Sequence, residues 1–152
     1  MPSAADLMTR SRVEARLEAQ INRNWDAYQR IPRRRLISAR TQEYRLARYN
    51  EDWRQKVEKV GNLNYPEEAR RQKLYGSLQM TVYIKSDGSV EKIEIDKSSG
   101  HIVLDEAAKR IVNLAAPYAA FPNDIRKDTD ILGITRTWNF TRADELGTSA
   151  AE

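Results

Sequence analysis

The chain has 152 residues, 40% apolar and 32% charged, with a net charge of +4 and no cysteine. That length suits one globular domain with an extension, and the absence of thiols excludes disulfides, thiolate metal sites and cysteine nucleophiles while fitting either a reducing cytosol or the periplasm. No apolar run approaches the ~20 residues that cross a bilayer, and the opening MPSAADLMTRSR lacks the basic start and apolar stretch of a secretion signal.

Charge is uneven along the chain. Residues 1–60 hold 14 Lys and Arg against 8 Asp and Glu, peaking at Arg33, Arg34 and Arg35, whereas residues 61–152 hold 12 against 14. The first sixty residues form a basic, helical extension. Val13, Leu17, Ile21, Trp25, Tyr28 and Ile31 recur every three or four positions and predict a helix over 5–30, which Pro32 stops. Leu46, Tyr49, Trp53, Val57 and Val60 repeat at the same spacing, so a second helix follows, with Thr41 as its cap and Gly61 at its end.

From Tyr65 the pattern changes. Pro66 at the first helical position and Glu67 and Glu68 at the positive end of the dipole predict a short helix that ends by Gly76. Leu78, Met80, Val82 and Ile84 then alternate with Gln79, Thr81, Tyr83 and Lys85, the period of a half-buried strand. Asp87-Gly88 marks a hairpin turn, and a second strand runs over 90–97 with Ile93 and Ile95 inward and Val90 out of step, which suggests a bulge. Ser98-Ser99-Gly100 offers caps for a helix over 103–116, whose Leu104, Ala107, Ala108, Ile111, Val112 and Ala115 form an apolar face. After a loop bounded by Pro117 and Pro122, Leu132, Ile134, Trp138 and Phe140 alternate with Thr135, Thr137, Asn139 and Thr141 as a third strand. Arg136 is the one polar residue on its apolar parity.

The expected fold is α+β: a three-stranded antiparallel sheet in the order two, one, three, with a helix packed on one face and the long helical extension before it. Residues 143–152, ending GTSAAE, read as a flexible tail. Such a sheet has two free edges, which are either managed or used for pairing.

No convergent set of titratable residues supports catalysis. His101 has no cysteine or acidic cluster near it in sequence, which argues against a metal or catalytic role; Glu67 and Glu68 are adjacent and point apart on a helix; the two serines lack a nucleophile elbow and a nearby base. The expectation is a protein that is not an enzyme and holds no metal or cofactor. Nucleic acid is also disfavoured, because the folded part is net acidic and shows no aromatic pair on an exposed strand face.

Tyr65-Pro66, Gly76 before the first strand, Asp87-Gly88, Ser98-Ser99-Gly100, Leu104-Asp105, Phe121-Pro122 and the closing Trp138-x-Phe140 occur in an order and spacing that resembles the C-terminal domain of the TonB energy-transducer family. The resemblance covers residues 61–142, and the stretch from Arg35 to Val60 is similar to the approach to that domain in one branch of the family.

The resemblance implies a periplasmic domain of an inner-membrane protein that works with the ExbB and ExbD motor proteins and contacts outer-membrane receptors, as in siderophore transport. The family's last strand takes up a short receptor segment, the TonB box, as an added strand. Carried onto this sequence, that places partner contacts on Ile134, Thr135, Arg136, Thr137, Trp138, Asn139 and Phe140. In the best-studied members, glutamines just before Tyr-Pro touch the receptor; here the matching segment offers Asn62 and Asn64 beside Tyr65 and Pro66, with the amide kept on a shorter stem. The membrane helix and proline-rich spacer of complete members are expected to lie N-terminal to Met1. A second reading stays open: a structural or assembly protein of the cell envelope that docks a non-receptor partner, its long first helix forming a homodimer or lengthening the molecule.

Overall fold

The protein is described from a computed structural model that covers residues 3–29, 31–41 and 43–151. It divides into two compact units, Met1–Pro32 and Arg33–Glu152.

The first unit is one helix, α1 (Ala4–Gln29). The expected end at Arg30 lies outside the described residues. Its start is a reciprocal cap: Asp6 N–H donates to Ser3 Oγ at 3.2 Å, and Ser3 N–H donates to Asp6 Oδ2 at 3.1 Å. This arrangement satisfies amide donors that the first helical turn would otherwise leave open. Leu7, Val13, Leu17, Ile21 and Trp25 are all exposed.

The second unit is α+β, with a mixed sheet in place of the expected antiparallel one. In chain order it contains β1 (Arg34–Ile37), α2 (Tyr44–Leu63), α3 (Glu67–Gln72), β2 (Gly76–Lys85), β3 (Val90–Lys97), α4 (Ile102–Ala115), α5 (Asn123–Arg126), β4 (Ile131–Phe140) and β5 (Leu146–Ala150). The sheet order is β1-β4-β2-β3, with β5 also on β4. The expected order two, one, three is therefore present as its centre. The correction is at the outer side of β4, where two further strands pair. β5 is made from residues expected as a flexible tail, and the compact unit begins at Arg33 instead of 61.

Alternation explains the core. Leu78, Met80, Val82 and Ile84 of β2 and Leu132, Ile134, Trp138 and Phe140 of β4 are buried on one face, and α2 and α4 supply the opposing layer through Trp53, Val57, Leu104, Ala108, Ile111 and Val112. The Trp53 and Trp138 rings meet edge to face, with centroids 6.2 Å apart, a favoured geometry for aromatic quadrupoles. The opposite face is polar: Thr81 Oγ1 donates to Asp96 at 2.6 Å and lies 2.8 Å from Thr135 Oγ1. The bulge expected at Val90 is present as a register shift between Tyr83 and Ile84.

Helix ends depart from the sequence reading. α2 begins after Glu43, not Thr41, and continues through Gly61 to Leu63; Thr41 instead accepts the Ser38 N–H in a turn. Pro66 is the N-cap of α3, not its first residue. His101 is the N-cap residue of α4, while Ser98 and Ser99 donate their hydroxyls to Asp105 at 2.5 and 2.7 Å. Burial pushes the Asp105 pKa up, but these hydroxyls and the Ser99 N–H outweigh it and hold the carboxyl below its ordinary value.

Candidate functional site

The edge of β4 that faces away from β2, where the family resemblance implies an added partner strand, is covered by the chain's own segments. β1 lies parallel to β4, pairing Arg34 with Ile131, Arg35 with Leu132, Leu36 with Gly133 and Ile37 with Ile134. Only Ile37 of β1 is buried, and Leu36 is 59% exposed. Leu36 lies over Gly133, where a Cβ would come within 2.5 Å of Leu36 Cδ2. Glycine at that position lets the neighbouring side chain cross the strand closely.

Ion pairs fasten the rest of β1 and the residue before it. Arg33 pairs with Asp130 at 3.0 Å, Arg34 with Glu91 at 2.8 Å, and Arg35 with Glu43 at 2.9 Å and Asp128 at 3.4 Å. Arg45 binds the same Asp128 and Glu43, each at 2.9 Å. The Arg45 hydrogen bond is the main cause that holds the Asp128 carboxyl well below the usual carboxylate range; the Arg33 and Arg34 guanidiniums lower Asp130 and Glu91 in the same way. These groups face water, so each pair is weak and screened by salt.

β5 covers the remaining half. It pairs antiparallel with residues 136–140 of β4, from Arg136 with Ala150 to Phe140 with Leu146. Its own outer edge is closed by side chains of α2. Asn62 Oδ1 accepts the Leu146 N–H at 2.8 Å and its Nδ2 donates to the Leu146 carbonyl at 3.1 Å, while Glu58 Oε1 accepts the Thr148 N–H at 2.7 Å. Residues four apart on a helix share a face, so the spacing of Glu58 and Asn62 matches alternate residues of an edge strand. The close approach depends on Gly61, where a Cβ would collide with Leu146.

Arg136 explains its own odd parity. It is 7% exposed, donating from Nε to Thr148 Oγ1 at 2.9 Å, from Nη2 to the Thr148 carbonyl at 3.0 Å and from Nη1 to Asn50 Oδ1 at 3.3 Å. Burial pushes its pKa down, and Arg54 adds to that, while Glu58 and Glu51 oppose it. The guanidinium thus faces inward and joins β4, β5 and α2.

Residues 61–141 match the family described as Gram-negative bacterial TonB protein C-terminal, more than half of the chain. The chain belongs to that family. No curated protein and no solved structure matches it. Domains of the TonB C-terminal family serve protein interaction and not catalysis, outer-membrane receptors are their general partners, and the periplasm is their usual place. No described helix is long and apolar enough to cross a membrane.

Within this TonB-type domain, the residues singled out from sequence fall into three groups. Ile134, Trp138 and Phe140 are core residues, and Tyr65 packs on Phe140 with centroids 5.9 Å apart beside the buried Pro66. Arg136 and Asn62 spend their polar groups inside the domain. Thr135, Thr137 and Asn139 are half-buried on the polar face of the sheet, and Asn64 is exposed, its Nδ2 donating to the Val60 carbonyl at 2.9 Å. Sequence reasoning missed β1, Glu58 and the acidic residues Asp128 and Asp130 that bind the arginines. The signal available was the arginine run itself followed by Leu36-Ile37, a charged segment ending in two apolar residues.

Proposed function

We propose that this chain is the receptor-coupling domain of a TonB-like energy transducer. The domain works in the periplasm as part of a protein anchored in the inner membrane. There ExbB and ExbD deliver proton-driven work, and the domain passes it to outer-membrane transporters such as those for siderophores. Family membership over residues 61–141 carries this reading.

Coupling takes place at β4, whose edge is held by two short strands of the chain instead of by a long one. A receptor segment exchanged onto that edge gains backbone hydrogen bonds worth about 0.5–1.5 kcal/mol net each, so four or five give only a few kcal/mol before ordering costs. Pulled along its length, the joint loads those bonds together and transmits force while remaining reversible. Exposed Asn64 and the Thr135, Thr137 and Asn139 side chains are the polar groups placed to read the segment, while Asn62, Tyr65, Pro66 and the buried residues of β4 hold the edge in shape.

Titration of isotope-labelled protein with synthetic N-terminal segments of outer-membrane receptors tests this. Shifts concentrated on β4 and residues 62–66 are expected, and a matched segment with N-methylated backbone amides should give none. Absence of any response across receptor segments would end the transducer reading. A second reading, a structural or assembly protein of the envelope, is favoured by one observation, the exposed apolar residues of α1; in it α1 pairs with a second copy, and sedimentation of the full chain as a dimer that separates when residues 3–29 are removed would support it.

A further inference from the structure

We propose that β1 is a removable internal strand and that the slot it fills, residues 131–134 of β4 with the carboxylates around them, takes an extended partner segment of basic character laid parallel to β4. The proposal rests on the transducer reading only for the identity of the partner; the slot itself follows from how β1 is held.

Three observations point the same way. β1 pairs over four residues and buries one apolar side chain, Ile37, whereas β2 pairs with β4 over ten residues and buries an apolar side chain at every second position from Leu78 to Ile84. The remaining attachment is ionic and exposed, so it is the part of the sheet that opens at least cost. β1 also stands at the start of the compact unit, so within that unit only its connection to α2 ties it along the chain.

β5 is held differently, by the Asn62, Glu58 and Arg136 hydrogen bonds and by Leu146, which is 3% exposed. The free edge of β3 carries Glu91, Lys92, Glu94, Asp96 and Lys97, a charge density that blocks pairing. Of the two strands that cover the outer side of β4, β1 is therefore the less firmly held, with Ile37 its one buried side chain.

The β1 segment also shows what the slot prefers. Among the described ion pairs, Asp130 pairs only with Arg33 and Glu91 only with Arg34, while Glu43 and Asp128 accept Arg35. The Arg33 carbonyl accepts the Ile131 N–H at 3.1 Å and the Asp130 N–H at 2.8 Å, which sets the parallel register. Ile37 ends the strand in the apolar core that also holds Leu46 and Ile134. A replacement segment must supply cations at the arginine positions and a branched apolar residue two places after the last one, or leave four carboxylates without these partners.

The test uses a fluorescent peptide with the sequence of residues 31–38 added to the full chain. Binding to the triple variant Arg33→Ala/Arg34→Ala/Arg35→Ala should be about tenfold or more tighter than to the unchanged chain, because the internal competitor is weakened. Replacing the peptide arginines with glutamate should abolish binding. Equal affinity for both proteins, or indifference to the peptide's charge, would overturn the proposal. A dimer in which β1 is exchanged between copies would also overturn it, by making the occupant a second copy. In the unchanged chain, amides of residues 34–37 should exchange with solvent far faster than those of residues 79–83; equal protection would count against removal whatever the variant does. Peptide binding without any response to receptor segments would leave the slot standing and remove the transducer reading, and the reverse pattern would do the opposite.

Discussion

Both polar ends of the Asn62 carboxamide bind one residue, Leu146: its oxygen takes the Leu146 N–H at 2.8 Å, and its nitrogen gives a hydrogen to the Leu146 carbonyl at 3.1 Å. An amide that reads as a partner contact from sequence is thereby the clasp that seats β5 on β4. Asn62→Ala should destabilise the domain by about 1–2 kcal/mol, the worth of two such bonds, and Asn62→Asp should retain only the acceptor. Denaturant titration gives the magnitude, and faster amide exchange at Leu146 gives the location. Unchanged exchange there would show that β5 is held by other contacts alone.

Glu58 has a larger effect for its size. It accepts the buried Thr148 N–H and supplies negative charge near Arg136, which has no carboxylate within salt-bridge distance among the described residues. Glu58→Ala leaves a buried donor open and a buried cation less compensated, costing about 2–3 kcal/mol. Arg136→Met in the same background should recover part of that loss, because the cation then no longer needs a partner. A double-mutant cycle measures the coupling, and strict additivity would separate the two residues.

Gly133 controls how close β1 comes. A side chain there meets Leu36 and, at 3.0 Å, the Tyr83 ring, so Gly133→Val should push β1 from the sheet at a cost of about 1–3 kcal/mol. Protection of residues 34–37 should vanish while β2–β4 pairing survives. Loss of both together would show that β1 is integral to the sheet.

Acid should release β1 before the rest of the unit unfolds. The carboxyls of Asp130 and Glu91 are held down in the folded state, chiefly by hydrogen bonds from Arg33 and Arg34 respectively. A group with a depressed folded pKa contributes stability in full above its unfolded value and loses it as pH falls through the folded one. Their ordinary values are 3.8 for Asp and 4.5 for Glu, so release belongs below pH 4.5 and is absent near neutrality. Amide exchange of residues 34–37 against pH checks it, and release already near neutral pH would assign it to some other group.

Ser3→Ala removes one half of the reciprocal cap on α1 and should lower its helicity by about 1 kcal/mol of helix stability. Circular dichroism of the chain reads this as lost helical signal without a change in the unfolding midpoint of the second unit.

Much of this protein was legible in its residues because the signals are local. Alternation from Leu78 to Ile84 and from Leu132 to Phe140 could suit only strands, the spacing of Leu46, Tyr49, Trp53 and Val57 could suit only a helix, and the ordered markers from Tyr65 to Phe140 carried the family. The short edges were not legible. Arg34 to Ile37 and Leu146 to Ala150 hold too few alternating apolar positions to announce strands, and each becomes one only through pairing with β4, far along the chain for the first and across a tight turn for the second. The same holds for Asn62 and Arg136, whose polar groups look available until the strand that uses them is in place. Sequence alone determined the elements that carry their own periodicity and the family they spell out. Tertiary structure decided what occupies the outer edge of β4, because backbone pairing and ion pairs between distant residues leave no period in the chain.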